Sequence, residues 1–156
     1  MRILRRMVLP MVVWSVLAEG AMAGSHESCP SIRSIVVSRS VYKAATASGA
    51  GEWIGVADAR SEGKVRRFME AVFYPEHGSE TSRGSLGKCT YELDRGIVDL
   101  RFRPDANPVV ALANPGAWSQ RQGPFGVLYY ECRGREGDCR FIDPSPAAAR
   151  SSPSGK

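Results

Sequence analysis

The stretch that decides the fold is Gly87-Lys88-Cys89-Thr90-Tyr91-Glu92-Leu93-Asp94-Arg95-Gly96-Ile97-Val98-Asp99-Leu100-Arg101-Phe102. Cys89, Tyr91 and Leu93 alternate with Lys88, Thr90, Glu92 and Asp94, the period-two signature of a half-buried strand. After Arg95 and Gly96 the alternation resumes, with Val98, Leu100 and Phe102 apolar against Asp99, Arg101 and Arg103. The reading is a β-hairpin with Arg95 and Gly96 at its tip. That register sets Leu93 opposite Val98, Tyr91 opposite Leu100 and Cys89 opposite Phe102. All six apolar side chains then share one face, and a slip of one residue would turn them to solvent.

Working outward, the segment from Ile32 to Tyr42 is rich in β-branched residues and reads as one extended strand or two short ones. Ala44 to Gly51 has loop composition and delivers Trp53, Ile54, Gly55 and Val56 into another short strand. Phe125 to Arg133 and Cys139 to Ile142 flank the turn Arg133 to Asp138 and read as a second hairpin, in which Cys132 faces Cys139 and Tyr130 lies beside Phe141. Residues 64–73 carry two signals. Val65, Phe68, Met69, Val72 and Phe73 fit helical spacing, whereas Gly63, Pro75 and the strands on both sides favour a strand. The stretch from Asn107 to Gly126 is a loop punctuated by Asn107-Pro108, Asn114-Pro115-Gly116 and Gly123-Pro124, with a short strand near Val109 to Leu112. The expectation is an all-β, mostly antiparallel single domain, a small sandwich or curled sheet.

The amino terminus has a different character. Arg2, Arg5 and Arg6 precede an apolar run from Met7 to Leu17, and Ala21 and Ala23 provide a small-residue cleavage motif. Residues 1–23 therefore read as a secretory signal peptide, and the apolar run is shorter than the roughly 20 residues a membrane span needs. The expected division is signal peptide 1–23, β-rich domain 24–143 and disordered tail 144–156, the last being proline, serine and alanine with nothing to bury. No membrane span remains after cleavage, and the destination is the periplasm or the extracellular space. The full chain carries 21 basic and 16 acidic residues. Removing 1–23 takes three arginines and Glu19, so the net charge of +5 falls to about +3, too small an excess to favour a nucleic-acid partner.

Cys29, Cys89, Cys132 and Cys139 all survive that cut. An even count in an exported chain favours disulfides over metal, because Cys132 and Cys139 lack ligand spacing and neither His26 nor His77 complements them. The second hairpin favours Cys132 with Cys139, leaving Cys29 with Cys89. Pairing Cys89 with Cys132 and Cys29 with Cys139 is the runner-up, and spacing alone leaves three connectivities open. The long Cys29–Cys89 loop would contribute roughly 3 to 4 kcal/mol in the loop-entropy model.

Several short motifs occur in a distinctive order: Cys29-Pro30, Tyr42 to Trp53-x-Gly55, Phe68-x-x-Ala71, Gly84-Ser85-Leu86-Gly87-Lys88-Cys89-Thr90-Tyr91, and Cys132 and Cys139 followed by Phe141. In that order the chain resembles a family of small exported bacterial proteins classed as a domain of unknown function. The resemblance runs from about Cys29 to Phe141. It implies an exported, disulfide-bearing domain and supplies no activity.

Catalytic signals are sparse. His77, with Glu76, Glu80, Ser79, Thr81 and Ser82 beside it, could be imagined as an acid-base or nucleophilic centre, but Pro75 to Arg83 has the composition of a connecting loop. No nucleophile elbow, phosphate loop or metal motif is present, so no catalytic residue, metal or cofactor is assigned. Arg101, Arg103, Arg133, Arg135 and Arg140 could form a basic patch on the polar face of the two hairpins. Trp118, Trp53 and Tyr129 are the candidate ligand contacts, since aromatic residues offer flat amphipathic surfaces to sugars or proteins, although Trp53 beside Gly55 reads first as core. The leading reading is a non-catalytic binding module whose partner is an envelope glycan or a protein. The alternative is a secreted inhibitor of a protease or muramidase that inserts the loop Asn107 to Gly126 or the 133–138 tip. The third is a small hydrolase using His77.

Non-reducing peptide mapping of protein recovered from its own host is expected to find a chain beginning at Gly24 with all four cysteines oxidised. Free thiols on a chain that retains residues 1–23 would place the protein in a different compartment.

Overall fold

The computed structural model describes residues 24–144, so the expectations for the signal peptide and for the tail beyond Pro144 lie outside the described residues. Eleven strands follow one another: β1 (Ser25–Ser28), β2 (Val36–Ser38), β3 (Val41–Ala45), β4 (Glu52–Val56), β5 (Glu62–Pro75), β6 (Gly84–Arg95), β7 (Ile97–Phe102), β8 (Ala111–Leu112), β9 (Ser119–Gln122), β10 (Leu128–Cys132) and β11 (Arg140–Asp143). Eight of them form a curled sheet in the order β2-β3-β4-β7-β6-β5-β10-β9, and β1-β11-β8 form a second, small sheet. Every named pairing is antiparallel. The all-β expectation is met, and short single-turn 3-10 segments are the helical content of the described residues.

Residues 64–73 lie within β5, and the pairing explains why they also fit helical spacing. β5 pairs with β6 through Val65↔Leu93, Phe68↔Tyr91, Ala71↔Cys89 and Phe73↔Leu86, with register shifts between Glu62 and Val65, Val65 and Arg67, and Phe68 and Glu70. Each of these shifts inserts an extra residue into β5, as a β-bulge does. Core-facing positions are therefore spaced by three residues rather than two, and a repeat of three imitates one face of a helix. A fourth shift, between Val72 and Phe73, inserts the extra residue into β6 at Gly87. It changes the parity of β6: Gly84 and Leu86 are buried before it, Cys89, Tyr91 and Leu93 after it.

The first hairpin forms with a corrected register. β6 and β7 pair as Cys89↔Leu100, Thr90↔Asp99, Tyr91↔Val98 and Glu92↔Ile97, two residues away from the register expected from alternation. A two-residue shift leaves every side chain on its original face, so alternation could not detect it. The tip sits at Asp94 and Arg95, with Gly96 next in the left-handed region at φ 75°, and Leu93 N–H donates to the Gly96 carbonyl at 3.0 Å. Gly96 is also pressed against Ser61, where a Cβ would lie 2.1 Å from its Oγ. Position 96 thus requires glycine for both conformation and space.

The second hairpin does not form. β10 pairs with β5 and β9 in the large sheet, whereas β11 pairs with β1 and β8 in the small one. Between them the chain turns through Glu136–Asp138, where Asp138 accepts from the Arg135 N–H at 3.2 Å. Cys132 and Cys139 are bonded across this corner with Cα atoms 5.7 Å apart, and Cys29 is bonded to Cys89. A corner between two sheets and a hairpin both bring two cysteines seven residues apart within bridging range, so the pairing was right although the hairpin was not. The polar segment from Gly24 to Pro30 contains β1, and the loop from Asn107 to Gly126 contains β9, neither of which the residue pattern marks as a strand. The short strand near 109–112 is β8.

The core lies between the inner face of the large sheet and the small sheet. Trp53, Phe102 and Phe141 form an aromatic cluster with ring centroids 5.1 Å (Trp53–Phe102), 6.1 Å (Trp53–Phe141) and 4.9 Å (Phe102–Phe141) apart. Such pairs contribute about 0.5–1.5 kcal/mol each beyond the area they bury. Two polar ties seal the layers. The buried Glu27 carboxylate accepts the N–H groups of Ala47 and Ser48 at 2.8 and 2.9 Å, and Arg103 pairs with the buried Asp143 at 2.5 Å.

Replacing Cys29 and Cys89 together by alanine is expected to cost about 4 kcal/mol, against about 2.5 kcal/mol for Cys132 and Cys139, because the first loop is much the longer. Urea unfolding of the two double variants measures the order, and a larger loss at Cys132 and Cys139 would show that the corner matters more than loop length.

Candidate ligand-contact site

The three aromatic residues singled out in the sequence occupy different places. Trp53 is 1% exposed and central to the core. Trp118 is buried as well, set edge-on to Phe73 at 6.4 Å, and its indole N–H has no hydrogen-bond partner among the described residues. Tyr129 is half-buried on the outer face of the large sheet. The structure does not bring the three together. Tyr129 instead meets Tyr74, which is not among the candidates read from the sequence.

Tyr74 stands near the end of β5 and is 43% exposed, with its ring centroid 6.1 Å from that of Tyr129 at an interplanar angle of 45°. Its ring lies against the bulge on β6. A Cβ built on Gly87 would fall 2.7 Å from Tyr74 Cε2, so the absence of a side chain at 87 is what lets the phenol lie down on the sheet. The local sequence explains the arrangement. Phe73 turns inward opposite Leu86, Tyr74 turns outward opposite Ser85, and the extra residue Gly87 leaves an uncovered patch beside it.

From Tyr74 a groove of about 450 Å³ runs over Ser85 and Gly87 to Arg101 and Asn107, with Pro104 on its far wall. A second depression of about 220 Å³ continues on the other side of the ring, past Glu76 to Val109. Among the described residues the side chains of Ser85, Arg101 and Asn107 have no intramolecular hydrogen bond or ion pair. Their donors and acceptors face the groove unspent. Just before β10 the chain projects the turn Pro124–Gly126, in which Phe125 is fully exposed in the left-handed region at φ 59°.

Most other charges on this face are already committed. Glu131 is 8% exposed and receives Arg133 at 2.9 Å and Arg121 at 3.3 Å, while Arg133 also reaches Glu70 at 3.0 Å. Burial pushes the Glu131 carboxyl up, but its ion pairs with Arg133 and Arg121 outweigh that and hold it below the ordinary carboxylate range. Lys88 pairs with Asp99 at 3.1 Å, and Thr90 donates to the same carboxylate at 2.6 Å. The expected arginine patch is dispersed. Arg103, Arg133 and Arg135 are each held by a carboxylate, and without the second hairpin the five do not share one face.

His77 sits exposed in the loop between β5 and β6, with no side-chain hydrogen bond among the described residues. Its neighbours are engaged elsewhere, Glu76 with Arg83 at 2.8 Å and Glu80 with Ser82 at 2.5 Å. Among the described residues no group of three or more histidine, cysteine, aspartate or glutamate side chains is placed to hold a metal ion, and no helix is long and apolar enough to cross a membrane.

A family model described as "Protein of unknown function (DUF3757)" matches residues 24–142. No curated protein and no solved structure matches the chain.

Gly87→Ala is expected to keep the fold, with a change in stability of about 1 kcal/mol or less, because a tyrosine ring can swing aside where backbone could not. The same substitution should shift the ring resonances of both Tyr74 and Tyr129 in an NMR spectrum. Unchanged Tyr129 signals would show that the two rings are not coupled through this contact.

Proposed function

Since the chain belongs to this family of proteins of unknown function (DUF3757), with residues 24–142 matched, we propose that it is a non-catalytic binding module exported to the cell envelope or beyond, and that Tyr74, Tyr129 and the adjoining groove contact its ligand. Two disulfides fit an oxidising destination. The ligand class that suits the groove is an oligosaccharide of the envelope. A sugar ring has apolar C–H faces and a rim of hydroxyls, and the groove opposes these with a phenol ring and with the unengaged Ser85, Arg101 and Asn107 side chains. That set of unpartnered polar groups around an exposed tyrosine is the observation that carries the reading. A protein ligand would use the same aromatic surface.

One observation favours the second reading, inhibition of a hydrolase. Phe125 is fully exposed at the apex of a tight turn, and a braced turn that presents an aromatic side chain loses little entropy when it enters a cleft.

Titration with N-acetylated envelope oligosaccharides, followed by calorimetry, is expected to show binding that falls at least tenfold in Tyr74→Ala and in Arg101→Ala. Muramidases and proteases incubated with the same protein should keep their rates. Slowing of one of them that disappears in Phe125→Ala, with no oligosaccharide binding, would replace the first reading by the second.

A further inference from the structure

The two edges of the large sheet are built in opposite ways. β9, at one edge, is Ser119-Gln120-Arg121-Gln122, exposed throughout and polar at every position, the usual means by which an edge is kept from pairing with foreign strands. β2, at the other edge, is Val36-Val37-Ser38, with Val36 70% and Val37 44% exposed. Its single partner strand is β3. It therefore presents an apolar side chain on each face and no charge.

The backbone of β2 is available as well. Arg39 and Ser40 join it to β3 with φ 51° and 69°, a two-residue turn of the type that closes hairpins. The pairs are Ser38↔Val41, Val37↔Tyr42 and Val36↔Lys43. In such a ladder the closing pair exchanges hydrogen bonds and the next does not, so the N–H and C=O of Val37 point away from β3. Beside them lies a groove of about 700 Å³ over Val36, Val41 and Ala45, rimmed by Ser34, Ser38, Arg39 and the Lys43–Glu52 ion pair.

Charge selects the occupant. From Ser28 to Gly51 the sequence has no aspartate or glutamate, while Arg33, Arg39 and Lys43 are all present. Lys43 pairs with Glu52 at 3.1 Å, and Arg33 and Arg39 have no carboxylate partner among the described residues. A second copy pairing edge to edge would set this cationic segment against itself. The stretch 144–156 has no acidic residue and three prolines, so it offers neither the charge nor the N–H groups to fill the edge.

We propose that β2 accepts an extended segment of a partner protein as an added strand, one with apolar side chains at alternate positions and carboxylates between them. Backbone bonds to Val37 hold the segment, Val36 and Val41 receive its apolar side, and Arg39, the groove cation without a carboxylate partner, selects its charge. The site lies at the sheet end opposite β9 and β10, and it stands independently of the Tyr74 groove.

The probe is a blocked hexapeptide alternating glutamate and valine, with the lysine-valine counterpart and phosphatidylglycerol vesicles as comparisons. Binding of the glutamate peptide to the full chain recovered from its host is expected, accompanied by at least tenfold slower hydrogen exchange at the Val37 amide. The lysine peptide and the vesicles should not bind. Arg39→Glu, which leaves the strand's backbone and apolar residues in place, should weaken the glutamate peptide at least fivefold while circular dichroism stays unchanged, and Val37→Pro should abolish it. No binding of the glutamate peptide, equal binding of the lysine peptide, capture by vesicles, or binding without protection of Val37 would each overturn the proposal.

Discussion

Everything in this molecule hangs on the bulged pairing of β5 with β6. A regular antiparallel pair of 14 and 12 residues would be a stiff, gently twisted ribbon. Three extra residues in β5 and one in β6 bend it and increase its twist. The bend lets one sheet curl far enough to cover its own core. Phe68 then meets Tyr91 edge-on at 5.5 Å, and Tyr91 sends its hydroxyl to the Pro30 carbonyl at 2.6 Å. Cys89 reaches Cys29 from the same strand. β10 is laid against the other edge of β5 through Ala71, Val72 and Phe73. The last bulge clears the surface on which Tyr74 rests. Core, covalent framework and candidate site are thus consequences of the same irregularities.

The second layer is small, and its attachment is correspondingly explicit. Three short strands bury little area of their own, so they are fastened by chemistry at identified points. Phe141 enters the aromatic cluster, Cys139 is bonded to Cys132, Asp143 takes Arg103, and Glu27 fixes the loop after β3 through two backbone N–H groups. Buried carboxylates of this kind bind the layers only while their partners remain, since an uncompensated charge in such a place is strongly destabilising.

How much of this was legible follows from what each residue pattern can encode. Alternation from Cys89 to Phe102 encodes which face is buried, and that face is correct. It does not encode register modulo two, and the hairpin is displaced by two residues for that reason. The cysteines encode proximity, so both bridges were legible, but proximity does not distinguish a hairpin from a corner, and the second hairpin was an inference too many. Bulges break the period that reveals a strand, which is why β5 also resembled a helix. At the candidate site, Tyr129 was legible as an aromatic in a polar neighbourhood. Tyr74 was not separable from core aromatics, because its exposure depends on a glycine thirteen positions away in the chain. Gly87 within Gly84-Ser85-Leu86-Gly87 was the available signal, a glycine inside a strand pattern marking close approach.

The pairing of β1 with β11, Ser25 against Asp143 and Ser28 against Arg140, joins the first described strand to the last. No part of that ladder can form until nearly the whole domain has emerged from whatever machinery delivers it. The aromatic core stays open on one side until then, and the sulfur atoms of Cys29 and Cys139 belong to the segments that arrive first and last. Folding of this chain is therefore a late event, concerted at its ends. The same closure places both ends of the domain side by side on one margin of the small sheet.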